Sequence, residues 1–148
     1  MTFSNIKDLR KYLEQNITSV LENEMSDTVK GSMAEAVDRT VYSTYRPKMY
    51  QRRQDRGGLS DKDNMTATVD GNILEVENNT PLNNDHGINR SGKTLTEIVT
   101  SGENYMFSGA FEVPRDFIEE TRRDLKENDT VRKTMKTALQ KRGLDVRD

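Results

Sequence analysis

Apolar side chains recur at a strict four-residue spacing over the first third of the chain: Leu9, Leu13, Ile17, Leu21, Met25, Val29, Met33, Val37, Val41 and Tyr45. A side chain at every fourth position stays near one face of an α-helix, so this run predicts helix. Ser4 or Asn5 can cap it, and Asp8 lies in its first turn. An α-helix turns once in 3.6 residues, so each four-residue step advances the stripe by about 40°. Over the whole run the stripe would circle a straight helix, and no single flat partner could cover it. Gly31-Ser32 is the natural place for a bend or break, giving one helix to about residue 30 and another over about 32–45. The alternative is an unbroken helix wrapped by neighbouring subunits. Pro47 disfavours helical geometry at Arg46 and ends the pattern near Tyr45.

The helix feeds a basic loop, residues 46–64. Tyr42, Tyr45 and Tyr50 are interleaved with Arg46, Lys48, Arg52, Arg53 and Arg56, in a chain whose net charge is -2. Gly57-Gly58 then lets the backbone turn, and Leu59 supplies an apolar anchor. Arginine forks bind phosphate or carboxylate, and tyrosine gives rigid contact area, so the loop reads as an ordered contact with a partner. Its candidate contact residues are Tyr45, Arg46, Tyr50, Arg52, Arg53, Arg56 and Leu59. The bland alternative is a solvated loop whose tyrosines cover the end of the helix.

After the loop, Met65, Ala67 and Val69 alternate with Thr66 and Thr68, Asp70-Gly71 supplies a tight turn, and Ile73, Leu74 and Val76 continue as a second strand. One face of this hairpin should pack on a helix while the threonine face stays wetter. Residues 78–94 are nearly all turn formers and read as a long exposed loop. Leu82 and Ile88, its two apolar residues, are candidate anchors onto a neighbouring subunit. Leu95 to Val99 suits a short helix or strand, and Tyr105, Phe107 and Phe111 to Val113 suit one or two strands. Pro114 fits a first helical position, with Phe117, Ile118, Thr121 and Leu125 on one face of the helix that follows. The helical pattern resumes after Asn128-Asp129 with Val131, Met135, Ala138 and Leu139, and Gly143 can end it. The expected fold is α+β: a long N-terminal helix, a small antiparallel sheet with its hairpin at Asp70-Gly71, and C-terminal helices.

A length of 148 residues is about that of one domain, with extended loops at about 46–64 and 78–94. The hydrophobic fraction of 32%, the absence of tryptophan and a mean hydropathy of -0.92 leave a modest core, so much of the surface should belong to partners. Without cysteine the chain has neither disulfides nor thiolate metal sites. No secretion signal or membrane-spanning run is visible, and no membrane partner is expected.

Residues 87–94, GINRSGKT, match the phosphate-loop pattern G-x-x-x-x-G-K-[ST]. Such a loop needs a buried strand before it and a magnesium-holding aspartate after a later strand. Here NNTPLNNDH precedes it, so a turn-rich loop without nucleotide is expected. His86 is the single histidine, which excludes a multi-histidine metal site, and the neighbouring carboxylates Glu119-Glu120 and Asp61-Asp63 lack the burial that shifts pKa values. No catalytic residue, cofactor or metal is expected.

The order of long helix, Gly57-Gly58-Leu59, a strand from near Met65 and a last helical region opened by Pro114-Arg115-Asp116-Phe117-Ile118 resembles small structural proteins of tailed bacteriophages, of the tail-completion or neck type that joins head to tail. The run Tyr45-x-Pro47-x-x-Tyr50-x-Arg52-Arg53 followed by Gly57-Gly58-Leu59 and Asn64 is similar to a motif of uncharacterised phage virion proteins. It departs from that pattern where Ser60, Asp61, Lys62 and Asp63 separate the leucine from the strand. The resemblance implies a non-enzymatic virion subunit made in the host cytoplasm and assembled as a six-fold or twelve-fold ring at the head–tail junction or tail top. Its partners would be further copies of itself, neighbouring connector or tail-tube proteins, and DNA in the channel. The competing reading is a nucleic-acid-binding module using the basic loop over 45–56. Asp55, Asp61 and Asp63 dilute that patch, and the hairpin over 65–77 has no aromatic residue on which bases could stack.

Overall fold

One helix runs unbroken over residues 6–42 in the computed structural model, which describes residues 2–44, 46, 48, 51–82, 93–103 and 113–147. Asn5 caps it, its side chain accepting from the Asp8 amide at 2.9 Å. The helix is α over Ile6–Val20 (α1), π over Leu21–Met25, α again over Ser26–Val37 (α2), and π over Asp38–Tyr42. The break expected at Gly31-Ser32 is therefore absent. A π turn closes i→i+5, as where the Ser43 amide reaches the Asp38 carbonyl at 2.9 Å. It holds more residues than the four-residue step of the apolar stripe, so it rotates the stripe backwards where an α turn rotates it forwards. Two π segments thus undo drift that would otherwise need a kink. Gly31 costs the helix about 1 kcal/mol relative to alanine, a cost outweighed by the burial of Met33, Ala36 and Val37 just beyond it.

From about Ile17 onward, other parts of the same chain pack along this helix. Upstream, Val20, Leu21 and Met25 are buried against Ala138 and Leu139 of α5 (Thr130–Lys141), with Val69 and Leu74 of the hairpin and Leu144 and Val146 of the tail closing the sides. Arg142, just past α5, locks this contact through a two-pronged pair with Glu24, at 2.7 and 3.0 Å. Downstream, Met33, Ala36, Val37 and Val41 pack with Leu59, Met65, Val99 and the fully buried Phe117. Phe117 opens α4 (Phe117–Glu127), which lies along α2. The first turns are left bare: Ile6 is 83% exposed.

The hairpin is as expected, with β1 (Met65–Asp70) antiparallel to β2 (Ile73–Asn78) from Met65↔Asn78 to Asp70↔Ile73. Met65, Ala67, Val69, Leu74 and Val76 face the helix while Thr66, Thr68, Glu75 and Glu77 face out. Ile73 joins the outer face, 70% exposed. Leu95–Ser101 is helix (α3), opened by a capping box between Thr94 and Glu97 and stopped by Gly102 at φ +72. A side chain at Gly102 would meet the Pro114 nitrogen at 2.6 Å, because the returning chain lies against it. The strands expected around Tyr105, Phe107 and Phe111 lie outside the described residues. Val113, the last of that set, is exposed and not in a strand. Pro114 precedes the cap of α4, which is Asp116, so it is not itself the first helical residue. Past α5, Gly143 at φ +82 turns the chain so that the Leu144 amide reaches the Leu139 carbonyl at 3.1 Å.

Candidate functional site

The basic loop begins where the long helix ends, and its described part is bonded to that end. Arg52 Nη1 donates to the Tyr42 carbonyl at 2.8 Å, and its guanidinium carbon lies 5.3 Å from the centre of the Tyr42 ring. One arginine thereby caps a helix C-terminus and stacks on an aromatic face. The Tyr42 hydroxyl accepts from the Leu59 amide at 2.9 Å, and burial raises its pKa above the ordinary phenol value.

Residues 53–56 form a tight turn closed by the Arg56 amide on the Arg53 carbonyl at 2.9 Å, with Gln54 at φ +49 and Gly57, just after it, at φ +83. Gly58 is required by space: a Cβ there would sit 2.4 Å from the Gln54 carbonyl oxygen. Asp61 ties the turn from below, its carboxylate accepting from the Gly57 amide at 2.5 Å and the Asp63 amide at 3.0 Å. Those two amides hold the carboxyl below the usual carboxylate range.

Asn78, buried at the end of β2, carries the second half of the site. Its Nδ2 donates to the Leu59 carbonyl at 2.7 Å, and its Oδ1 accepts from the Thr80 amide at 3.2 Å. The Asn78 carbonyl accepts from Thr96 of α3 at 2.9 Å, and Asn64 Nδ2 donates to the Gly58 carbonyl at 3.0 Å. Arg53 Nη2 reaches the Pro81 carbonyl at 2.7 Å, Lys93 pairs with Glu103 at 2.7 Å, and the Arg115 amide bonds the Val99 carbonyl at 3.0 Å. These bonds tie Tyr42, the stretch 51–64, residues 78–81, α3 and Arg115 into one bonded platform at one end of the long helix.

The candidate contact residues separate into groups. Leu59 is 4% exposed and belongs to the core beside Met65 and Phe117, which corrects its assignment to a partner contact. Arg52 and Arg53 are half-buried and hold the platform together. Arg46 and Arg56, with Lys48, are exposed, and Leu82 sits half-buried at the root of its loop. Tyr45, Tyr50 and Ile88 lie outside the described residues, as do His86 and residues 87–92 of the phosphate-loop pattern. Reading the sequence as turn formers missed Asn78 and Thr80, because a buried asparagine and a loop asparagine look alike until their partners are known.

The last two residues of that pattern are occupied. Thr94 caps α3, and the Glu97 carboxylate accepts from the Thr94 amide at 2.6 Å and its hydroxyl at 3.0 Å. The cap of the helix is thus closed by the protein's own carboxylate. Its pKa is lowered by those bonds, and that of Glu103 by Lys93. On the flank of the long helix lies an open polar groove of about 420 Å³, where Lys62 pairs with Asp27 at 3.2 Å and Arg39 with Asp124 at 2.5 Å, while Glu35 has no ion pair among the described residues. Asp61 is a turn-forming residue, and Glu120 pairs with Arg123 at 2.5 Å. Among the described residues no three His, Cys, Asp or Glu side chains gather as a metal site requires. No helix among them is long and apolar enough to cross a membrane.

A protein-family model, YomN, matches residues 5–141, and the chain belongs to the YomN family. That family is named after a gene product of the Bacillus phage SPBc2, which associates the chain with bacteriophage. No curated protein and no solved structure matches it.

Proposed function

We propose that the chain is a non-enzymatic structural protein of a tailed-bacteriophage virion, a tail-completion or neck subunit that assembles as a six-fold or twelve-fold ring between head and tail. The observation that carries this reading is the platform: Tyr42, residues 51–64, Asn78 and α3 are bonded together at one end of a long, well-packed helix. A subunit so built can offer a neighbour a firmly held surface at a place that the helix fixes. The family's phage name supports the setting. The modest apolar content supports assembly, since contact repeated around an axis buries surface that a lone subunit exposes.

The nucleic-acid reading loses ground because Arg52 and Arg53 are used internally, leaving Arg46, Lys48 and Arg56 as the exposed cations over 45–56 among the described residues. DNA in the ring's channel stays within the proposal as a passing contact, and connector or tail-tube proteins are the expected neighbours. The proposal gives the chain no catalysis, and the Glu97 carboxylate on the Thr94 amide at the start of α3 is the observation that speaks against a phosphate loop there.

The test is genetic and structural. The chain should be detected by mass spectrometry in purified particles of the phage that encodes it, and disrupting its gene should leave DNA-filled heads and free tails unjoined in electron micrographs. Complete, infective particles formed without the chain would contradict the proposal.

A further inference from the structure

The outer face of the hairpin is uncovered and carries charge of one sign only. Thr66, Thr68, Asp70, Ile73, Glu75 and Glu77 all point outward and are exposed, and no lysine or arginine occurs anywhere over residues 65–79. Glu75 lies opposite Thr68 and Glu77 opposite Thr66, so neither carboxylate meets a cation across the ladder. Asp70, Glu75 and Glu77 have no ion-pair partner among the described residues. Among the described residues the sheet is two-stranded, so each strand also keeps one edge without a further strand. Natural sheets blunt such edges with lysine, proline, a bulge or a covering element. No lysine, proline or bulge is present among the described residues of this hairpin, and α3 meets β2 only at its end, where Thr96 bonds the Asn78 carbonyl.

The opposite charge sits in the segment just before it. With Arg52 and Arg53 turned inward, Arg46, Lys48 and Arg56 project as exposed cations, and they too lack an ion pair among the described residues. Within one chain the acidic ribbon and the basic residues therefore do not neutralise each other.

We infer that the outer face of the β1–β2 ribbon receives the loop carrying Arg46, Lys48 and Arg56 from a second copy of this chain. The inference rests on the ring reading and names the contact that would build the ring. Two different patches meet, so the contact is heterologous, the kind that runs head to tail and closes into a ring when the rotation allows. Exposed ion pairs are individually weak. Their part here is to choose the partner, fix its register and speed the encounter, while Ile73, 70% exposed beside Asp70 in the ladder, adds apolar area.

The test is charge reversal read by sedimentation at low salt. The unmodified chain should associate, and raising the salt should weaken the association, since screening shortens the reach of exposed charges. Glu75→Lys with Glu77→Lys, and separately Arg46→Glu with Lys48→Glu and Arg56→Glu, should each weaken association at least ten-fold while leaving circular dichroism unchanged, since all five side chains are exposed. Mixing the two variants should restore association, because opposite charges then meet at every contact. The chain has no cysteine, so Glu77→Cys with Arg56→Cys should form an oxidative cross-link between subunits of the oligomer. Oligomers indifferent to both reversals would overturn this contact and leave the ring reading standing, because that reading is judged separately on phage particles. A chain that stays monomeric at low salt and high concentration would overturn it as well. So would binding to a short DNA duplex that is lost only in the Arg46, Lys48 and Arg56 variant, with no rescue on mixing.

Discussion

Residues 65–78 and residues 51–64 adjoin in the chain and pair their backbone polar groups beside the same small core by opposite means. The hairpin uses its own ladder, six residue pairs in one register. The stretch before it borrows side chains: the Tyr42 hydroxyl for the Leu59 amide, Asn78 for the Leu59 carbonyl, and Asp61 for the amides of Gly57 and Asp63. A ladder spreads its stability over many similar bonds, so one substitution on its outer face costs little. A borrowed network concentrates it in a few side chains, each without a substitute.

The two glycine turns should break this comparison most sharply. Gly58→Ala drives a methyl group to 2.4 Å from the Gln54 carbonyl oxygen, and overpacking against backbone should cost about 3 kcal/mol. Gly71→Ala in the hairpin meets nothing within 4 Å, and its positive φ alone should cost about 1 to 2 kcal/mol. Urea denaturation of both variants measures the difference, and equal losses would contradict it. Asn78→Ala comes next, since it strands the Leu59 carbonyl and the Thr80 amide and should cost about 2 kcal/mol. Glu75→Ala, on the exposed face of the same strand, should fall within about 0.5 kcal/mol of zero.

Arg52→Ala and Arg53→Ala should each cost about 1 kcal/mol of stability, read in the same denaturation experiment. Loss of assembly in that pair would therefore not by itself report a partner contact, whereas Arg46, Lys48 and Arg56 can be changed without touching the platform.

The smallest effect should be on acid sensitivity. Asp61 and Glu97 have pKa values lowered by backbone amides, so their folded forms bind protons less readily than the unfolded chain. Their contribution is present in full above about pH 5, past the ordinary carboxylate pKa near 4. It is lost as pH falls through the lowered folded values. Asp61→Asn should flatten that fall in a series of denaturation curves taken between about pH 3 and 7. An unchanged slope would mean that the turn does not depend on the carboxylate.

The hairpin was legible because its signal is local: alternating Met65, Ala67 and Val69, the Asp70-Gly71 turn, and Val76 across from Ala67. The long helix was legible in extent but not in detail. Its four-residue stripe showed that something must correct the drift, and a π segment, unlike a kink at Gly31, has no residue type of its own. The loop was legible only as charge and glycine. Arg52 and Arg56 are four residues apart in one basic run, and nothing local says that the first folds onto Tyr42 while the second faces solvent. The loop is held by Asn78, Thr80 and Pro81, bonded to Leu59, Gly58 and Arg53 from about twenty or more residues away, and their composition reads simply as turn.

Hydrogen exchange of the free chain, followed amide by amide, tests the central claim that residues 51–64 form a folded platform and not a solvated loop. The amides of Leu59, Asn64 and Asn79, bonded to the Tyr42 hydroxyl, the Asp61 carbonyl and the Asn64 carbonyl, should be protected to within about ten-fold of the hairpin ladder, as members of one cooperative unit. Exchange of Leu59 and Asn64 at the rate of an unstructured peptide, while the ladder from Met65 to Asn78 stays protected, would contradict it.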